Sequence, residues 1–447
     1  MKSLLNFLLE TNKLKEIPRT GLVWLGIKNP PTVADHTFRT AIAGWLLGQK
    51  NNLNAERIIK IAFSHDLCEV YSGDLTPFWG LLPKEGKKRK EALKRWVRLP
   101  LKEKIKREKK EFEKEKKCLL KVIKPLNSPT REEIFSYWLD YKKGRSNEGR
   151  FFKQTDKIDS MLEALERLNK KDYSLVTPWW EEAEELMVDP LLSLLLKIIQ
   201  KKFYNTKFEI DKTTFDKEEN AELESILDFL LEIRKLKRMP RKLWVGLGVR
   251  DPETVASHIF TLTIIAWILG KENKALDMEK LLKMALCHEL PAIYTGDLIT
   301  PYGRVLPKAK EARLKVFEKW PRLSRKEKEN KFARDYKKEK LALQKLTRKL
   351  PNSPKKEILQ LFDEYKTVST PEARFLNQLN VLVVLLQGLQ YQKKDKNLPV
   401  GFLWEWAFEK CDNSICLAFM EELKKKFYGK KFIYKILYLL KRKNEKD

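Results

Sequence analysis

The chain has 447 residues, 43% of them hydrophobic, so it can fill packed interiors and is too long for a single core. Its five cysteines (Cys68, Cys118, Cys287, Cys411, Cys416) lack C-x-x-C spacing, and no apolar run reaches the 18 or so residues of a membrane helix. A disulfide framework, a zinc knuckle and a membrane span are thereby excluded as expectations, and a reducing cytoplasm fits best. The formal net charge is +29. Such a field draws in phosphates or nucleic acid.

In chain order, the opening MKSLLNFLLETNK lacks a small-residue cleavage site and recurs inside the chain, so it is read as fold and not as a signal. Thr32 with Asp35 three residues later forms a capping-box pattern. Ala34, Phe38, Ala41, Ile42, Trp45 and Leu46 then follow helical spacing. Asn54 is placed to cap a second helix, expected to run unbroken through IIKIAFSHDLCEVY until Gly73 ends it. The basic runs KKRKEALKRW (87–96) and KEKIKREKKEFEKEKK (102–117) interleave acids and carry few aromatics. They read as solvated helix faces that help attract small anions, more than as a base-stacking surface. Strand signals are scarce.

From residue 225 the series begins again. SLLNFLLETNKLKEIPR (3–19) matches SILDFLLEIRKLKRMPR (225–241), and NPPTVADH (29–36) matches DPETVASH (251–258), both 222 residues on. TPFWGLLPK and TPYGRVLPK, LNSP and PNSP, GRFFKQTD and ARFLNQLN, KKFYNTKF and KKFYGKKF follow in the same order. This is a tandem duplication with a polar linker near residues 205–225. The expected domains are residues 1–212 and 213–447, each of ordinary domain size.

All four histidines fall at matched repeat positions: His36 with His258 and His65 with His288. A chain this poor in histidine that places all four so points to metal or catalytic use. His65 and Asp66 lie about 100° apart on a helix and can offer nitrogen and oxygen to one ion, with Glu69 one turn on and suited to proton transfer. Read on spacing alone, Arg19 is equally a phosphate clamp or a surface charge beside Pro18. Asp156, Asp159 and Glu163 read equally as a solvated face.

The segments IPRTGLVW (17–24), TVADHTFR (32–39), HDLCEVYSGDLTP (65–77) and FFKQTDKIDSMLEAL (151–165) stand in an order that resembles the HD-domain metal-dependent phosphohydrolases, in their 5′-deoxynucleotidase branch, over most of residues 1–170. The resemblance implies an all-α fold and a divalent ion held by His36, His65, Asp66 and Asp156, selecting Asp156 over Asp159. It also implies acid/base work by Glu69, a second catalytic or substrate-contacting carboxylate at Asp74, and phosphate binding by Arg19 and Lys153. Two imidazoles with two carboxylates suit Mn, Co, Fe, Ni, Zn or Mg, and the spacing does not choose among them. Members of this branch are homodimers, so the two helical bundles are expected to form an intramolecular pseudodimer within a monomeric chain.

Transferred through the repeat, Asp66 becomes Glu289, Glu69 becomes Ala292, Lys153 becomes Asn377 and Asp156 becomes Asn380, while Arg241 and Asp297 keep the types of Arg19 and Asp74. The second copy is expected to be degenerate. The expected activity is release of phosphate from nucleoside 5′-monophosphates, deoxy forms included, with a small nucleotide as partner and no membrane. The alternatives are another HD nucleotide hydrolase, acting on deoxynucleoside triphosphates or cyclic nucleotides, and a non-catalytic basic scaffold that binds nucleic acid. A diiron oxygenase would need further histidines.

Overall fold

The computed structural model describes residues 1–76, 80–94, 99–204, 217–298, 307, 309–317 and 324–429. The expected boundary at 212/213 and parts of the repeated TPFWGLLPK and TPYGRVLPK segments lie outside the described residues. The first half winds through α1 (Lys2–Thr11), a 3₁₀ turn (Asn12–Lys15), α2 (Thr20–Trp24), α3 (Val33–Lys50), α4 (Ala55–Ser64), α5 (Glu69–Ser72), α6 (Gly86–Leu93), α7 (Leu101–Ile123), α8 (Ser128–Lys143), α9 (Asn147–Leu165), α10 (Thr177–Leu186) and α11 (Pro190–Tyr204). The second half repeats the series as α12 (Lys217–Ile233), a 3₁₀ turn (Arg234–Arg238), α13 (Lys242–Gly246), α14 (Val255–Gly270), α15 (Met278–Cys287), α16 (Ala292–Thr295), α17 (Lys310–Phe317), α18 (Arg325–Thr347), α19 (Asn352–Thr367), α20 (Pro371–Lys394), α21 (Gly401–Lys410) and α22 (Ser414–Tyr428). Among the described residues no strand forms. Two isolated antiparallel bridges, Pro18 with Thr32 and Pro240 with Thr254, repeat at the same place in each half.

The expected capping box is present: Thr32 accepts from the Asp35 N–H while Asp35 accepts from the Thr32 N–H. Asn54 caps α4 through the Arg57 N–H. The helix expected to run from there to Gly73 does not. It ends at Ser64 and restarts at Glu69, because from Ser64 onward the backbone bonds shorten to the i−3 pattern, with Leu67 donating to Ser64 and Glu69 to Asp66. The tighter winding turns His65 and Asp66 inward together. On the basic helix α7, residues 101–114 are largely exposed, as solvated faces should be.

The two halves meet along α3 and α14, which pack against each other with α4 and α15 beside them. Both central helices are buried almost all round, so α14 carries scarcely a polar face. Gly48 and its repeat Gly270 allow the close approach of α4 and α15. A Cβ on Gly48 would sit 2.4 Å from Ile58, and one on Gly270 would sit 2.6 Å from Leu281.

Polar contacts across the interface come in quasi-twofold pairs. Lys60 lies 5.8 Å over the Trp267 ring and Lys283 lies 5.2 Å over the Trp45 ring. Glu133 accepts from Trp267 (3.1 Å) and Lys271 (2.9 Å), while its repeat Glu357 accepts from Lys283 (2.6 Å) and Gln49 (2.8 Å). Phe63 stacks on Phe260 at 5.7 Å. The N-terminal helices cross over: α1 packs on α14 and α22 of the second half, and α12 packs on α3 and α11 of the first. Cation–π contacts contribute about 0.5–2 kcal/mol each. Apolar burial drives the association, and the directional contacts fix its register.

We propose that the halves are two domains joined as an obligate pseudodimer. Truncation after residue 212 removes α12, α14 and α15 and bares the apolar faces of α3, α4 and α11. The first half alone should therefore elute as a dimer or aggregate in size-exclusion chromatography with light scattering. A stable, monodisperse monomer would contradict this arrangement.

Candidate metal centre

His36 projects from α3, His65 and Asp66 from the tightened turn after α4, and Asp156 from α9. Both imidazoles are fully buried, with ring centroids 5.8 Å apart. His65 Nδ1 lies 2.6 Å from the Ala62 carbonyl, a partner that can only accept, so Nδ1 carries the proton and donates it. That leaves His65 Nε2 with a lone pair. It makes no regular hydrogen bond and faces carboxylate oxygens of Asp66 at 3.0 Å and Asp156 at 3.8 Å.

His36 is held in the same way from behind. Its Nδ1 lies 3.0 Å from Asp159 and its Nε2 lies 2.8 Å from the Asp156 oxygen that also faces His65. His36 Nε2, His65 Nε2 and one Asp156 oxygen thus converge. His36, His65 and Asp156 each present an atom within 4.8 Å of the others, and Asp66 flanks them. The donor set fits a divalent ion of the borderline-hard class.

Asp159 was legible in the sequence only as one acid of a solvated face. It is 2% exposed, and Arg39 anchors it by Nε at 2.5 Å while it holds the His36 ring. Such a carboxylate behind a ligating imidazole fixes the tautomer and raises ligand basicity. The structure therefore separates Asp156, which faces the cluster, from Asp159, which supports it. Tyr141 donates to the other Asp156 oxygen at 2.7 Å.

Arg19 is half-buried beside the cluster. Its guanidinium lies 3.5 Å from both Asp66 and Asp74, donates to Ser160 at 3.0 Å and lies 3.8 Å from Glu163. Burial alone would lower its pKa, but Asp74 and Asp66 outweigh burial and hold the charge firmly. Asp74 also accepts from the Thr20 N–H at 2.5 Å, so it anchors the start of α2 and with it Arg19.

Glu69 is 5% exposed, and one carboxyl oxygen has no hydrogen-bond partner. Burial first, then the Asp66 and Asp74 charges, push its pKa well above the usual carboxylate range. A cavity of about 80 Å³ opens at Arg19, bounded by Trp24, Asp74, Lys157, Ser160 and Trp179. The lysine on this wall is Lys157. Lys153, one turn earlier on α9, is not among the lining residues, and burial followed by Lys142 and Lys157 lowers its pKa.

An HD-domain profile matches residues 11–178 and 233–402. The chain belongs to the HD-domain family. Among curated relatives, the 5′-deoxynucleotidase HDDC2 of Xenopus laevis is 29% identical over 38% of this chain and 72% of its own length. The 5′-deoxynucleotidase hdd1 of Schizosaccharomyces pombe is 31% identical over 42% of this chain and 85% of its own. A conserved hypothetical protein of Pyrococcus furiosus aligns structurally with 48% of this chain and 99% of its own at 23% identity, with a TM-score of 0.31. HD domains are metal-dependent, and the two matched regions are the two copies of the duplication. No helix among the described residues is long and apolar enough to cross a membrane.

The second HD domain keeps both histidines and the Ala285 carbonyl that anchors His288 Nδ1 at 2.8 Å, and loses the carboxylate that holds the other ring. The repeat position of Asp159 is Val383, and neither ring nitrogen of His258 has a regular hydrogen-bond partner. Asn380, in place of Asp156, donates to Tyr365 at 2.8 Å. Asn377 bonds the Tyr365 and Ala373 carbonyls. Glu289 turns to Arg241 at 2.7 Å and stands 3.9 Å from His288, the reverse of the preference of Asp66. Burial, with Arg241 and His288 adding to it, drives the His258 pKa well below the usual imidazole value, and burial takes His288 down to about 4. His258, His288 and Glu289 still present atoms within 4.8 Å of one another, but with Asn380 in place of Asp156 and Glu289 paired with Arg241 the group has less negative charge to offer a dication than the first.

We propose His36, His65, Asp66 and Asp156 as the ligands. Elemental analysis should give one tightly held divalent ion per chain, lost in His65→Ala or Asp66→Ala and retained when His258 and His288 are both replaced by Ala. Asp159→Asn keeps the shape but removes the anionic support of His36, and calorimetry should show ion affinity falling roughly 10–100-fold. Two equivalent ions per chain would establish a second working site.

Proposed function

We propose that the first HD domain is a divalent-metal-dependent phosphomonoesterase that releases phosphate from deoxynucleoside 5′-monophosphates. The observation that carries this reading is the Arg19 guanidinium, which lies 3.5 Å from Asp66 at the edge of the converging donors and on its other side lines a small cavity with Asp74, Lys157 and Ser160. The curated relatives are 5′-deoxynucleotidases by name. The cavity is phosphate-sized, so the nucleoside extends outward past Trp24 and Trp179, whose rings offer faces for a base.

A divalent ion bound by the four ligands supplies the charge that polarises a phosphoryl oxygen and acidifies a water. The remaining work falls to the side chains. Arg19, pinned by Asp66, Asp74 and Ser160, orients the equatorial phosphate oxygens in one plane. Lys157 adds positive charge on the same wall while paired with Glu182 at 2.7 Å. Glu69, whose pKa burial raises well above the usual carboxylate range, is suited to give a proton to the departing 5′-oxygen. Asp159 and Tyr141 hold His36 and Asp156 in register throughout.

A panel of nucleoside and deoxynucleoside 5′-monophosphates, assayed for phosphate release metal by metal after chelator stripping, tests the reading. It also fixes the ion, the base and the sugar preference. Glu69→Ala should retain the ion and lose about 10²–10⁴-fold in kcat. If this variant loses its metal, Glu69 is a ligand and the proton donor lies elsewhere. No phosphate release from any monophosphate would refute the assignment.

A further inference from the structure

One basic side chain beside the first-domain site comes from the other domain; burial and the Arg39 charge push its pKa well below the usual lysine value, while Asp159 and Asp35 oppose that shift. Lys237, on the 3₁₀ turn after α12, is 3% exposed and brings its ammonium into direct contact with one oxygen of Glu163. The other oxygen of Glu163 lies 3.8 Å from Arg19 Nε and 3.8 Å from His36 Nδ1. Glu163 therefore stands between a residue contributed in trans and two residues of the centre. We infer that Lys237 is a positioning residue for the first-domain site, engaging Glu163 so that Arg19 stays with Asp66, Asp74 and Ser160 at the cavity wall, placed to receive a phosphate.

The reason is charge in a low-dielectric interior. A buried Glu163 without Lys237 would have Arg19 as its nearest strong cation and would pull the guanidinium away from the cavity. The reciprocal arrangement in the other domain shows how specific the pairing is. Lys15, the repeat of Lys237, crosses into the second domain, where the counterpart of Glu163 is the neutral Gln387. There Lys15 takes a new carboxylate, Glu253 at 2.6 Å, and contacts Gln387 at 3.0 Å. Both crossing lysines persist, but only Lys237 meets a carboxylate on the helix that carries the site. The degenerate domain thus completes the working site.

The inference rests on the proposal that Arg19 binds the substrate's phosphate, and its test uses the full-length, metal-loaded protein. Inorganic phosphate is titrated by calorimetry, and KM and kcat for phosphate release are measured in parallel, for wild type, Lys237→Met, Glu163→Gln and the double variant. Lys237→Met should weaken phosphate binding and raise KM by roughly tenfold or more, the scale of a lost charge-assisted contact, with a much smaller change in kcat. In the Glu163→Gln background the same substitution should change phosphate affinity by less than about twofold, since the charge it engages is gone.

Additive losses, or a Lys237→Met protein that binds phosphate like wild type, would overturn the inference. If Lys237→Met does not fold, the double variant removes both buried charges, and its comparison with Glu163→Gln alone decides: equal affinity supports the role and a further loss overturns it. A wild-type protein that binds phosphate with this coupling but hydrolyses no nucleotide would refute the nucleotidase reading and leave the role of Lys237 standing.

Discussion

The interior of the first domain holds more carboxylates than a folded protein can bury without compensation. Asp66, Asp74, Asp156, Asp159, Glu163 and Glu166 are all withdrawn from water around His36 and His65. An unpaired buried charge costs several kcal/mol even after relaxation, so each needs a partner. Arg39 serves Asp159 and Glu166, Lys237 serves Glu163, and Arg19 serves Asp66 and Asp74. Asp156 is left with the neutral hydroxyl of Tyr141 and two imidazole nitrogens. Against the cost of burial, His36 and His65 hold the Asp156 carboxyl well below the usual carboxylate range, so its negative charge lies where the donors converge, at the divalent-ion site proposed above.

That requirement shapes the helices around it. His36 is on α3, Asp156 and Asp159 are on α9, and His65 follows α4, so these three helices must pack closely enough for side chains of ordinary length to meet. Gly44 and Gly48 make room on α3: a Cβ at Gly44 would lie 2.7 Å from Ile58 and 3.1 Å from Phe152. The same helix is the main contact with the other domain, so the site is built at the back of the interface. Asp35 shows the economy of this placement. One oxygen completes the capping box of α3, and the other accepts from Ser257 at 2.8 Å and from Thr254, at the start of α14.

The second domain shows the same constraint relaxed. Asp159, Ser160, Glu163 and Glu166 have become Val383, Val384, Gln387 and Gln390, and Arg39 has become Thr261. The carboxylates and the arginine that balanced them left together, so the interior stays close to neutral and folds. What remains is an arginine, Arg241, with Glu289 and Asp297. Burial raises the Asp297 carboxyl to about 6 despite that arginine. The packing needed for the interface survived this change, because Trp267, Phe260 and Lys283 lie on the faces of α14 and α15 turned toward the first domain.

Much of this was legible in one dimension. The duplication, the helical class, the caps at Thr32 and Asn54, the paired histidines and the replacement of Asp66, Glu69 and Asp156 by Glu289, Ala292 and Asn380 in the second copy follow from spacing and residue type, because caps and repeats are local and chemically distinctive. The sequence could not separate Asp156 from Asp159, since both lie on one buried face of α9 and differ only in whether they point at the cluster or support His36. Nor could it rank Lys153 against Lys157, or show that the helix breaks at His65. Lys237 was invisible as a site residue, being one basic residue in RKLKR (234–238). Its role exists only because the turn that carries it is pressed against α3 of the other domain, bringing an ammonium to a carboxylate 74 positions away in the chain. Sequence determined which charges the protein contains. Tertiary packing decided which of them share the same dry interior, and burial is what gives a pairing its strength.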